Sequence, residues 1–484
     1  MENIREKGTI EKIAANTGFL LLGRVTTKII SFFTVMYLVR YLGAEAYGKY
    51  AFAFAYISFF TIISDLGLHT ILVRETSRKH EIKEKILGNA ILISSILSII
   101  AFLLAIVSTD IQNIPLDTKN IISIAGLSLL LGAISPYGVI YEISFKMKYS
   151  VLFSLVSRIF LLAAVLTVIY MDIGILWLVF VTVFADAIHS FLMFIFSKKI
   201  IKPSFKIDFN LWKRLLKESL PLALSSFFII IFFRIDVIML SMMKGDYDVG
   251  IYSSAFRLTE AVLFIPSTFM ISMYPLLSQY FEKAQQTFVF TYLKALKYLF
   301  NSAFLLALFL YLLSEEIILA IYGIDFLESA DVFKILSWAT AILFINYLFG
   351  SLLVSANKQS VTTISTALCA FMNIMINYIL IPHYSYVGAA IATVITQALN
   401  MAIMFHYITK DVTIDKVYYG MKSSLKMAFI VCTYVYFTSN FLSLHLLVIT
   451  TILVYVIIAY YIGLVDEYDK KVLAKILNAI KSVK

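Results

Sequence analysis

An all-α polytopic membrane protein with about fourteen transmembrane helices is what this sequence predicts, and three observations predict it. Of 484 residues, 61% are hydrophobic and only 14% are charged, against roughly 25% charged in a soluble globular protein. Apolar runs of about 20 residues, the length needed to cross the hydrocarbon, recur from one end to the other. The basic residues between those runs alternate in density, with 30 Lys/Arg on one set of links and tails and 4 on the other. That bias is the positive-inside pattern and puts the dense set, including both termini, in the cytoplasm.

The spans fall near 13–39, 46–66, 86–108, 119–143, 149–171, 174–197, 217–243, 249–275, 291–313, 330–355, 359–381, 387–409, 423–441 and 443–464. The first is longer than a signal-peptide core and lacks a small-residue cleavage pattern, so its removal is not expected. The last two are separated only by a tight turn at Asn440–Ser443. Phe (40) and Tyr (30) are abundant enough to form interfacial belts. The outer link near 314–329 carries Glu315, Glu316, Asp325 and Glu328 and reads as a solvated loop. The net charge of +10 lies mostly in short cytoplasmic links. It suits an anionic leaflet rather than nucleic acid. Cys369 and Cys432 sit in apolar runs without ligand or disulfide spacing and read as small buried hydrophobes.

The longest polar interruption, near 198–216, holds Lys198, Lys199, Lys202, Lys206, Lys213 and Arg214. With Phe209 and Trp212 it reads as an amphipathic segment at the interface. It divides the chain into a six-helix half (1–200), a cytoplasmic connector (201–216), a second six-helix half (217–410) and a final segment of two helices with a cytoplasmic tail (411–484). An internal echo supports the division. Gly43, Gly48, Tyr50, Ala53 and Phe54 match Gly245, Gly250, Tyr252, Ala255 and Phe256 at a constant offset of 202. Both strings lie between the first and second helix of a half. An offset of six helices gives parallel repeats, related by an axis along the membrane normal.

Charges inside membrane helices are costly and face a cavity or a partner. Arg24 and Lys28 are four apart and share a helix face, where they repel each other. A water-filled cavity that attracts an anion suits such a pair; snorkelling is the alternative. Arg158, Arg234 and Arg257 extend the basic set over both halves and would favour a phosphate-bearing headgroup if they converge. Asp65, Asp186, Asp236, Glu260, Asn373 and Asn377 are candidates for an ion-coupling site or a polar network. Asp186 shares a face with His189, Arg257 with Glu260, and Asn373 with Asn377. Pro136, Pro221, Pro266 and Pro275 can bend helices, although Pro221 could sit in a first turn. Gly388, Ala389, Ala390 and Ala392 permit close helix packing.

No catalytic constellation appears. There is no phosphate-binding loop with its Lys, no metalloprotease spacing among the six histidines, and no large polar loop for a sugar donor. No metal site and no cofactor are expected.

Three stretches carry a family resemblance: "YLVRYLGAEAYGKYAFAFAYISFFTIISDLGL" from Tyr37, "LPLALSSFFIIIFFRIDVIMLSMMKGDYDVGIYSSAFRLTEAVLFIPSTFMISMYPLLSQ" from Leu220, and "VGAAIATVITQALN" from Val387. They resemble the oligosaccharide flippases, the polysaccharide-biosynthesis membrane proteins of the multidrug, oligosaccharidyl-lipid and polysaccharide exporter superfamily. The resemblance covers essentially the whole chain. It implies two six-helix lobes around a central cavity, two extra helices, and alternating access that turns a lipid-linked sugar over between leaflets. It further implies that Arg24, Lys28, Arg234 and Arg257 lie in cavity-lining helices, where basic residues meet the anionic headgroup. The expected partners are a lipid-linked oligosaccharide, membrane lipids and glycan-assembly enzymes, the protein itself being a monomer. Na+ or H+ is a possible coupling ion. A cation-coupled exporter of small amphipathic molecules is the alternative, which dominant buried carboxylates would favour.

Overall fold

Within hydrocarbon a helix satisfies its own backbone hydrogen bonds, which makes it the natural state of these apolar runs. The computed structural model describes residues 2–78, 80–112, 114–410, 414–439 and 441–462, and among them there is no β-strand. The expected cytoplasmic tail, and Asn440 of the expected last turn, lie outside the described residues.

Helix α1 (Glu2–Asp65) is broken at Gly43, with φ 67 and ψ 176, a backbone state essentially confined to glycine. A turn at Leu66 and Gly67 leads to α2 (Leu68–Arg78) and then α3 (Lys83–Ile111). The span expected at 119–143 is interrupted. It consists of α4 (Leu116–Leu130), a 3-10 turn at Leu131–Ile134, and α5 (Pro136–Ile143). Pro136 explains the restart, because proline has no N–H to lose at the first helical position. Next come α6 (Met147–Met171), α7 (Ile175–Ser197), α8 (Phe209–Met243), α9 (Asp246–Val262) and α10 (Phe264–Lys283). They are followed by α11 (Gln285–Leu312), α12 (Ser314–Ile321), α13 (Ser329–Ser355) and α14 (Gln359–Ile408), which is broken at Ser385. The series closes with α15 (Ile414–Thr438) and α16 (Leu444–Tyr461).

Among the described residues, eleven helical stretches are long and apolar enough to cross a membrane. Two of these are far longer than the ~20 residues one crossing needs: Leu22–Arg78 has 57 residues and Gln359–Ile408 has 50. Their breaks at Gly43 and Ser385 fall where the apolar pattern separates two expected spans. Helix α15, whose sequence includes Asp415, Lys416, Lys422 and Lys426, is not among the eleven.

Three local expectations are corrected. The link at 314–329 is not a plain loop: it contains α12 and a 3-10 turn at Ile324–Phe326, with Ile318 and Phe326 fully buried. Arg40 donates to the Ala320 and Ile321 carbonyls at the end of α12, where a cation is favoured by the helix dipole. Pro221 lies inside α8, because that helix starts at Phe209 rather than near 217. Cys369 is buried as expected, but Cys432 is exposed.

Packing divides the chain into two compact units. Unit one comprises Met1–Ser254, Leu319–Ser329 and Thr366–Ala389; unit two comprises Ala255–Ile318, Ala330–Ser365 and Ala390–Lys484. In unit one, Leu68 and Leu72 of α2 pack with Ile86 of α3, Ile140 of α5 and Leu215 of α8. On α3, Ile99, Leu103 and Val107 are exposed at four-residue spacing, a face suited to lipid. In unit two, Tyr292 of α11 belongs to a core with Phe344 and Leu348 of α13 and Met404 of α14. A further cluster joins Phe304 and Leu308 to Met427 and Val431 of α15 and Ala459 of α16.

The region expected to be an amphipathic connector divides at Phe209. Residues 201–208 are irregular and cross α3; from Phe209 the chain is already α8. Asn89, fully buried on α3, holds this strap. Its Nδ2 donates to the Lys206 carbonyl (2.9 Å), and its Oδ1 accepts from Asp208 N (2.9 Å) and Trp212 Nε1 (2.7 Å). A Cβ at Gly88 would strike the Ser204 carbonyl, so only glycine admits the strap there. Asp208 caps α8 through Leu211 N at 3.0 Å. Its carboxylate also meets Lys85 Nζ at 2.7 Å, and that bond holds its pKa below the usual carboxylate value. Replacing Asn89 with Ala removes these three bonds, two to the strap and one to α8, and is expected to destabilise unit one by about 3 kcal/mol, at roughly 1 kcal/mol per bond. Thermal unfolding in micelles, with limited proteolysis at the strap, measures this; wild-type behaviour in both would refute the clamp.

Candidate functional site

The sequence-predicted charges do not share one setting. Arg24 and Lys28 are both exposed on α1, one turn apart, and no ion pair links either to another described residue. Arg158 and Arg257 are held by carboxylates. Arg158 Nη2 lies 3.1 Å from Asp186 Oδ1 between α6 and α7, and Arg257 Nη1 lies 3.0 Å from Glu260 Oε2 within α9. Asp186 and Glu260 thus neutralise these arginines, which lowers the cost of those charges in an apolar setting; the Arg257–Glu260 pairing was expected, the Arg158–Asp186 pairing was not. Asp65 is a local turn residue whose Oδ2 accepts from Gly67 N at 3.1 Å. It makes the Asx-type turn that ends α1. Arg234 is half-buried on α8.

Asp236, Asn373 and Asn377 converge. Asp236 is 2% exposed, and the two asparagines are 1% and 0% exposed. Asn377 Nδ2 donates to Asp236 Oδ1 at 2.6 Å and to Asn373 Oδ1 at 2.9 Å. The Tyr252 hydroxyl donates to Asp236 Oδ2 at 2.6 Å. Helical spacing puts Asn373 and Asn377 on one face of α14, which is why their association was legible. The link to α8 and to Tyr252 of α9 was not, since nothing local in sequence joins them. The network leaves Asn377 Oδ1 buried without a hydrogen-bond partner. Carboxylate and amide oxygens are the donor types a hard cation takes, and the carboxylate can also carry a proton, but here the Asn377 Nδ2 donor lies between Asp236 Oδ1 and Asn373 Oδ1.

The repeated strings meet each other. Gly43 and Gly245, 202 apart, both have positive φ, 67° and 102°. A Cβ on Gly48 would strike the carbonyl oxygen of Asp246, and one on Gly250 would strike that of Ala44. Ala44 and Asp246 are themselves 202 apart. Each copy therefore offers a glycine to the carbonyl that the other copy offers back, the reciprocal geometry of a local two-fold. The equivalent tyrosines diverge: Tyr50 OH lies 3.2 Å from Thr182 Oγ1, whereas Tyr252 serves Asp236.

Known proteins resemble this chain in sequence and in architecture. A family described as MatE matches residues 221–379. The probable low-salt glycan biosynthesis flippase Agl15 of Haloferax volcanii is 24% identical over 223 residues, and that match spans 45% of this chain and 46% of Agl15. The capsular polysaccharide biosynthesis protein CapF of Staphylococcus aureus is 24% identical over 413 residues, 82% of this chain and 99% of CapF. The lipid II flippase MurJ, in an inward closed conformation, superposes with a TM-score of 0.72 at 17% identity, covering 91% of this chain and 97% of MurJ. An inward-facing multidrug resistance MATE family transporter follows at 0.62 and 13%, covering 80% and 95%. At these identities the superpositions establish the fold: this is a multi-pass, all-α membrane protein of the MurJ and MATE architecture. The names of these relatives denote flippases, transporters and polysaccharide biosynthesis, and none names an enzymatic reaction. The profile described as polysaccharide biosynthesis protein matches residues 13–281, more than half of the chain, and the chain belongs to that family.

Proposed function

We propose that this protein is a flippase for an oligosaccharide linked to a polyprenyl phosphate or pyrophosphate, serving cell-surface polysaccharide or glycoprotein assembly in the cell membrane. The observation that carries the reading is the Arg24–Lys28 pair, two exposed cations on one face of an apolar helix. Like charges so placed repel each other, and an anionic headgroup relieves that repulsion. Arg234 and Arg257 extend the basic set. Family membership supports a glycan role, as do the flippase names of Agl15 and MurJ.

In this reading fourteen crossings form two six-helix lobes, 1–200 and 217–410, around a central cavity, with two further helices and a tail in 411–484. Both termini are cytoplasmic. The lobes alternate access between leaflets while the lipid tail stays in the bilayer. The protein acts as a monomer beside glycan-assembly enzymes. Asp236, Asn373 and Asn377 bind the coupling ion, Na+ or H+. The orphaned Asn377 Oδ1 supports this, as an oxygen that a cation would satisfy. A second reading, cation-coupled export of small amphipathic molecules, draws on the MatE match and on buried Asp236.

Reconstitution in vesicles with defined lipid-linked oligosaccharides, with and without ion gradients, tests the proposal. Wild-type protein should move the glycolipid between leaflets. Arg24→Ala and Arg257→Ala should each reduce movement about tenfold or more, the loss of one charge-assisted contact, with folded protein near the wild-type amount. Export of an organic cation with no glycolipid movement would select the second reading.

A further inference from the structure

Unit one contains a cavity of about 420 Å³ that none of the charged candidates above uses. Its size is in the range of small-molecule sites, ~300–1,000 Å³. The interrupted α4–α5 helix forms part of its wall, through Ser128, Gly132, Ser135 and Glu142. Non-helical backbone at membrane depth is tolerated where it is buried in protein or lines a water-filled cavity.

The chemistry of the wall is specific. Hydroxyls come from Thr61, Ser64, Ser128, Ser135, Ser150 and Ser190. Three of them, Thr61, Ser64 and Ser128, donate to carbonyls of their own helices and therefore offer lone pairs to the interior. His69 Nε2 lies 3.1 Å from Glu142 Oε1, and His189 Nδ1 is buried without a hydrogen-bond partner. No Lys or Arg lines the space, and its one carboxylate is engaged by a histidine. A phosphate would find no Lys or Arg there. Tyr141, Leu129 and Met193 supply apolar patches. Mixed donors and acceptors beside apolar surface match a ligand whose every hydroxyl both donates and accepts and whose ring also bears C–H faces.

We infer that this cavity binds one neutral pyranose unit, with His189, Glu142 and the serine hydroxyls as its hydrogen-bond partners. The sugar is either free or part of a lipid-linked glycan; only the second source rests on the flippase reading.

The full-length protein in lipid nanodiscs tests this by saturation-transfer NMR with methyl glucoside, methyl galactoside and methyl N-acetylglucosaminide, with glucose 1-phosphate as the charged control. At least one neutral glycoside should bind, and the phosphate should not. His189→Gln and Glu142→Gln should each weaken binding about tenfold, the effect of one lost hydrogen bond to a buried polar or charged group. Gly138→Val fills the space without a backbone clash, since a Cβ there meets only Met193 Cε at 3.7 Å, and should abolish binding. No glycoside binding to wild type, or binding that Gly138→Val leaves unchanged, overturns the inference. Stronger binding of glucose 1-phosphate than of any glycoside also overturns it. Vesicle assays then identify the source. A Gly138→Val defect confined to glycan-bearing carriers, with sugar-free polyprenyl phosphate moved normally, assigns the lipid-linked glycan. Glycoside binding in a protein that moves neither carrier supports the cavity, assigns a free sugar and rejects the flippase reading.

Discussion

Leucine at position 48 is expected to disrupt the fold of unit one around α1 and α9. The first atom added to Gly48 would lie 1.7 Å from the Asp246 carbonyl oxygen, 2.6 Å from its carbon and 3.0 Å from Gly250 N. These are backbone atoms, so no rotamer change makes room. Overpacking that side chains can absorb costs about 1–3 kcal/mol. Gly48→Ala should reach the upper end of that range, and Gly48→Leu should exceed it. Gly250→Ala should cost a similar amount, because its Cβ meets the Ala44 carbonyl in the same way. The two contacts adjoin, so once one has pushed the helices apart the other is already relieved. The double variant should then cost less than the sum. Gly138→Ala is the control, since its added carbon would meet only Met193 Cε, at an ordinary contact distance of 3.7 Å. Unfolding in mixed micelles gives the free energies. Alanine at 48 and 250 as stable as wild type would show that the two strings do not meet.

Removing the Asp236 carboxylate should be the other severe change. Asp236→Ala removes an acceptor from the Tyr252 hydroxyl and from the Asn377 amide, both buried and both donating to that group. At 1–3 kcal/mol for each unsatisfied donor, the loss is about 4 kcal/mol. Asp236→Asn keeps shape and one acceptor, and should cost about half as much. If a coupling ion binds there, the asparagine variant should also lose the dependence of vesicle translocation on the sodium or proton gradient. A variant that is destabilised yet fully gradient-dependent would make the cluster structural only.

The apolar runs and their links were legible in sequence because membrane helices follow from length and composition, which need no tertiary information. The glycine echo was legible for a related reason: positive φ at Gly43 and Gly245, and close approach at Gly48 and Gly250, tolerate almost no other residue. Residues with replaceable roles were harder to read. The 3-10 turn at Leu131–Ile134 looked like continuous helix, since its residues are apolar and the restart signal, Pro136, also occurs in merely bent helices. Arg158 and Asp186 read as separate candidates because their meeting depends on how α6 packs on α7. In sequence His189 stands out only for sharing a helix face with Asp186; the cavity it borders is assembled from six helices, and its serines resemble any others in the sequence.

The strap across α3 changes what kind of joint lies between α7 and α8. The eleven residues between Ser197 and Phe209, left free, could stretch to about 40 Å and would let the helices they connect drift like two weights on a slack leash. Fastened by Asn89, and fitted against Gly88, that leash has no slack. Any swing of α8 must then pivot at its first turn, by Asp208 and Phe209, or pull Trp212 off the asparagine. The single amide on α3 thus acts as a cleat, and the length of rope beyond it, rather than the length of the whole link, determines how far the helix can travel.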